Sequence, residues 1–139
     1  MSRIIKTENA GNERNRLAKG VILAVRHLGQ KTAPDAESRD LVAYMVLALT
    51  AIAGSIESSV SAWEKRGYWI KADKFRLEWD WTQPSADKLA QDIDAENWDS
   101  IAETAINISQ RLAKVQISPN HRLGRPWTGA WEALQKKRE

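Results

Sequence analysis

Residues 41–63 read LVAYMVLALTAIAGSIESSVSAW, and the periodicity of this stretch decides the fold class. Val42, Val46, Leu49, Ala53, Ile56, Val60 and Trp63 follow alternating steps of four and three, a sustained heptad seam. Leu41, Met45, Ala48 and Ile52 form a second, adjacent seam. The first half of this helix is therefore apolar over most of its circumference, as a helix with several neighbours requires. Ala51, Gly54, Ser55, Ser58, Ser59 and Ala62 are small and let another helix approach closely. Upstream, Thr32-Ala33-Pro34-Asp35 supplies a start: threonine caps, proline tolerates the first turn, and Asp35 complements the dipole. Gly67 ends the helix at about Arg66.

The same periods extend outward. Leu17, Val21, Ala24 and Leu28, widened by Ile22 and Val25, predict a first helix from about Glu13 to Leu28, with Gly29 as its C-terminal αL residue. Residues 1–12 read as a loop or frayed arm. Downstream, Tyr68, Ala72, Phe75, Trp79, Thr82, Ala86, Leu89 and Ile93 keep one phase straight across Pro84. That predicts a single third helix kinked at Pro84, with a break at Gln83 as the alternative. Trp98, Ile101, Ala105, Ile108, Leu112 and Val115 mark a fourth helix capped near Asp94 and stopped by Pro119. Residues 116–125 read as loop. Pro126 then opens a short last helix with Trp127, Trp131 and Leu134 on one stripe. No strand pattern and no internal repeat emerges. The expectation is one all-α domain over residues 1–139, an antiparallel up-down-up-down four-helix bundle with a short C-terminal helix packed across it.

Composition narrows the function classes. The chain has seven tryptophans, two histidines and no cysteine. Each indole buries ~150–250 Å², so where the rings point is the main question. Without cysteine there is no disulfide scaffold and no thiolate metal site. The apolar run Val21–Val25 is too short for a signal peptide, and Leu41–Ala53 falls short of the ~20 residues that span a bilayer. A soluble cytoplasmic protein with no membrane contact is expected. Charge is unevenly placed. Residues 1–31 carry net +5, residues 32–110 net −7 and residues 111–139 net +5. Either the basic ends fold back on the acidic middle or meet another copy, or they hold an anionic partner.

Four features carry functional readings. First, Ile70, Leu77 and Trp81 each follow a seam position by two residues, ~200° around a helix, and Trp69 lies ~100° from the seam. They are expected to point away from the core, against the tail helix or against a partner. With Trp127 and Trp131 they make the expected interface, for a second copy or another protein. Second, Arg122, Arg125 and Trp127 stand just before a helix start and suit a small anion or nucleotide; otherwise the arginines pair with the acidic middle and Trp127 packs down. Third, a basic arm (Arg3, Lys6, Arg14, Arg16, Lys19) and the basic tail suit phosphates. However, the apolar stripe of the first helix and the lack of any nucleic-acid-binding signature make that a minor reading. Fourth, His27 and His121 lack partners at metal-ligand spacing, and Glu96, Asp99 and Glu103 read as the wet face of the fourth helix. No catalytic set, cofactor or metal is expected. The function expected is a non-enzymatic interaction module.

Overall fold

A computed structural model of the chain describes residues 7–139, and side-chain surroundings from residue 10 onward. Residues 1–6, with Arg3 and Lys6 of the expected basic arm, lie outside the described residues. The described residues form six helices and no strand: α1 (Thr7–Gly29), α2 (Ala36–Lys65), α3 (Trp69–Trp79), α4 (Thr82–Asp94), α5 (Trp98–Arg111) and α6 (Ala130–Arg138). The protein is all-helical, as expected.

α2 is the axis of the fold. It packs against α1, α3, α4 and α6, while α5 rests on α1 and α4. Leu41 to Val46 are buried without interruption, so the two seams are enclosed from all sides. Beyond Leu49, only the Ile52–Ile56–Val60 stripe is buried, because fewer neighbours cover that half. By length and composition α2 could cross a membrane, with an 18-residue window of mean hydropathy 1.7, and half of that window is buried against the other helices. Its N-cap is Asp35, not Thr32. The Asp35 carboxylate accepts the Ser38 N–H (2.9 Å), and the Ser38 hydroxyl accepts the Asp35 N–H (3.0 Å), a reciprocal capping box.

α1 runs antiparallel to α2. Arg14 donates to the Ser55 hydroxyl at 3.3 Å, and at the other end His27 lies 3.2 Å from Glu37. Between them Gly20 sits under the Tyr44 ring. A Cβ there would overlap the Tyr44 hydroxyl oxygen and come 2.9 Å from the ring carbon bearing it. A helical glycine costs about 1 kcal/mol relative to alanine, and here that cost admits a tyrosine between two helices. α1 also corrects the expectation for its start. Asn9 to Asn12 are helical rather than loop, so the arm expected over residues 1–12 is helix from Thr7 onward.

The third expected helix is two. α3 ends at Trp79 and α4 begins at Thr82, with Asp80 and Trp81 between them. Both linking residues keep αR dihedrals, so the chain goes on turning at nearly the helical rate and the apolar phase survives the break. Pro84 therefore kinks nothing. It is the third residue of α4, in the first turn, where its missing N–H has no intrahelical partner in any case. The carbonyls at the end of α3 are met by side chains: the Trp81 indole donates to the Glu78 carbonyl (3.1 Å) and the Thr82 hydroxyl to that of Trp79 (2.8 Å).

Two further boundaries move. α5 is capped by Asn97, whose side chain accepts the Ser100 N–H at 3.2 Å, rather than by Asp94. The last helix begins at Ala130 behind Gly129 (φ +78°), four residues after Pro126. Trp127 therefore precedes that helix instead of lying on its stripe.

Candidate functional site

The residues singled out from the sequence fall into three places. The first is a clasp around Glu37, in the first turn of α2. Its carboxylate accepts from the Lys31 ammonium (2.6 Å), Arg125 (3.2 Å) and the Trp127 indole N–H (3.2 Å), and His27 Nε2 lies 3.2 Å away. The Trp127 ring also lies against the His27 ring, centroids 5.2 Å apart. The end of α1 and the start of α2, neighbours in the chain, are thus joined on one carboxylate by the distant stretch before α6.

That convergence settles where the tail residues point. Trp127, expected at an interface, stacked on a nucleotide or packed down, is packed down and only 4% exposed. Arg125, expected to hold an anion or to pair with the acidic middle, pairs with Glu37. Both follow from the acidic middle drawing the basic tail onto itself. Trp131, the other tail residue expected at an interface, is half-buried. Its backbone N–H donates to Asp40 at 2.9 Å, and the Arg39 guanidinium lies 5.8 Å over its ring. Glu96, expected on the wet face of the fourth helix, precedes α5 and pairs with Arg39 at 3.1 Å.

The clasp carries a pH signature. Lys31, then the Trp127 and His27 contacts, hold the Glu37 carboxyl at about 2 against an ordinary 4.5. Lys31 and the Ser38 bonds hold Asp35 at about 2 against 3.8. A lowered carboxyl stabilises the fold fully above its unfolded value and loses that contribution as pH falls through the folded one. The urea midpoint is therefore expected to fall between pH 4.5 and 2. Glu37→Gln should lower it at neutral pH and flatten the acid-side fall. A Glu37→Gln variant with the wild-type profile would show that the clasp contributes nothing.

The second place is the outward face of α3. Trp69, Ile70 and Leu77 are 59%, 75% and 68% exposed, and Tyr68 at the N-cap is also open. Ala72 is the one fully buried residue of α3. Phe75 and Trp79 are half-buried, Phe75 meeting Trp63 edge-on at 4.9 Å and Arg14 at 4.8 Å. Trp81 does not belong to this face. It is 8% exposed and stacks on Trp79 with centroids 6.2 Å apart. The backbone keeps turning through the joint, yet Trp81 is enclosed there: its ring lies on Trp79 and its indole reaches back to the Glu78 carbonyl, so angle alone misplaced it.

The third place is Arg122, which turns away from Arg125 and Trp127 to line a cleft against α1. A separate apolar cleft of about 320 Å³, walled mainly by Val25, Leu28, Pro34, Trp98, Ile101 and Ile106, holds none of the residues marked out in the sequence.

Sequence reasoning missed Glu37, Asp40 and Gly20. The signal for Glu37 was present only in bulk, as an acidic middle between basic ends. Nothing local separates it from any first-turn glutamate. Comparison with protein-family models, with curated proteins and with solved structures finds no match to this chain.

Proposed function

We propose that this protein is a non-enzymatic interaction module that pairs with a second copy of itself through the outer face of α3. The scaffold in this reading is α1, α2, the α3–α4 pair and α5 alternating in direction, with α6 laid across them. The observation that carries the reading is the exposure of Trp69, Ile70 and Leu77 on a helix whose opposite face already meets the core. A single exposed apolar side chain needs no explanation, whereas three large ones on the open side of one short helix support a contact there.

The charges flanking the stripe favour a second copy as the occupant. Ile70 and Leu77 are seven residues apart and point almost the same way, within ~20°. Asp73 and Lys74 lie between them, ~50° to either side of that line. In a parallel pairing, each edge of one helix faces the opposite edge of the other, so Asp73 meets Lys74 of the second copy twice. An antiparallel pairing sets like charge against like. One helix per protomer is a small contact, so the dimer is expected to be weak and concentration-dependent.

Sedimentation equilibrium across a range of concentrations tests this. Ile70→Ser with Leu77→Ser should raise the dissociation constant at least about tenfold while helicity is unchanged. Asp73→Lys alone should weaken pairing, and adding Lys74→Asp should restore it. A strict monomer at every concentration overturns self-pairing. A dimer indifferent to these changes overturns the α3 face.

A further inference from the structure

The cleft that Arg122 lines has the chemistry of an anion site, and it is separate from both the clasp and the α3 face. On α1, Asn12, Asn15, Arg16 and Lys19 recur at i, i+3, i+4 and i+7, and so share one side of the helix. They sit well inside α1, away from either end of the helix. Opposite them stands a tight turn. The His121 N–H donates to the Ser118 carbonyl (3.1 Å) and the Asn120 N–H to the Ser118 hydroxyl oxygen (3.2 Å). The Leu123 N–H donates to His121 Nδ1 at 3.3 Å. With Nδ1 as acceptor, the neutral ring carries its proton on Nε2 and keeps that donor for something else.

Between the two elements lies a space of about 260 Å³ whose wall contains no carboxylate. Arg16 is held by Glu13 through Nε (3.0 Å) and Nη2 (2.5 Å), which cancels its charge locally. Lys19 and Arg122 have no carboxylate within ion-pair distance among the described residues. Two cations carried by separately fixed elements therefore face one small cleft together with the donors of Asn12, Asn15, Ser118 and His121. Such a set repels itself when empty and focuses an anion into the space between.

We infer that this cleft binds a phosphate group, as inorganic phosphate or as the phosphate of a small monoester. Lys19 and Arg122 supply the charge, and the asparagine, serine and histidine donors supply orientation. A phosphomonoester carries −1.5 to −2 near neutral pH with several acceptor oxygens, which matches two cations among neutral donors. The space exceeds a single phosphate group, leaving room for a small ester.

The test uses the full chain and inorganic phosphate, against chloride at matched ionic strength. Phosphate at about tenfold its Kd is expected to raise the melting temperature on the order of 5 °C. Lys19→Ala and Arg122→Ala should each remove most of that rise and leave the melting temperature in chloride unchanged or slightly higher. Lys136→Ala, on α6, should keep it. An equal melting temperature in phosphate and chloride overturns the inference, as does a rise that survives both substitutions. A small sugar phosphate should reproduce the effect. An oligonucleotide without a terminal phosphate, binding through the same two residues at lower concentration, would overturn the monoester assignment in favour of a polyanion.

Discussion

Trp81→Ala is expected to lower the stability of the fold by about 3–5 kcal/mol, the usual cost of deleting a buried indole. The ring is enclosed at the joint between α3 and α4, stacked on Trp79, with its N–H on the Glu78 carbonyl. Removing it leaves a cavity, exposes a half-buried Trp79 and unsatisfies one of the carbonyls that end α3. For a chain of this length the melting temperature should drop by roughly 10–20 °C. Leu77→Ser, four residues upstream and exposed, should shift stability by no more than about 0.5 kcal/mol. Urea unfolding of the two variants side by side separates the packed aromatic from the open face. Equal effects would mean that Trp81 is not in the core.

Trp127→Ala is expected to cost a similar 3–5 kcal/mol. The mechanism differs, because this ring fastens a distant segment. Its loss empties the site against His27 and takes a donor from Glu37, leaving Arg125 as the tail's remaining bond to that carboxylate. Trp127→Phe keeps most of the buried ring but no N–H, so its loss should be intermediate. If Trp127→Ala unfolds at the wild-type urea concentration, the stretch before α6 is not anchored as described.

How much of this could be read in advance depended on whether a local pattern determined the outcome. α2 was legible because its two seams leave no other way to bury Leu41 to Val46. The outward placement of Ile70 and Leu77 was legible from a local pattern too: two residues along a helix is slightly more than half a turn. The break after Trp79 was not legible, since Asp80 and Trp81 preserve the helical rotation and leave no mark in the phase. Trp81 was misplaced for a separate reason: the angle along a helix does not say which neighbours cover that side, and here the ring is enclosed against Trp79. Thr32 was expected to cap α2 with Asp35 complementing the dipole, and the reciprocal bond with Ser38 makes Asp35 the cap instead. The tail was the least legible part. Arg125 and Trp127 resemble an anion loop in isolation, and their partner lies 88 and 90 residues away. Arg122 lines a cleft with Lys19 and His121 instead of joining Arg125 and Trp127, its neighbours in the chain.

The clasp also ties the two ends of the fold into one loop. Consecutive helices from α1 to α5 are joined by short links, and such contacts close quickly because little chain entropy is lost. Glu37 meets Arg125 and Trp127 only after a loop of 88 to 90 residues has closed. Lys31, six residues away, is the local partner of the same carboxylate. One side chain thus holds together a short loop and nearly two thirds of the chain's length, and cutting the chain anywhere between Glu37 and Arg125 would leave that tie as a bond between two fragments.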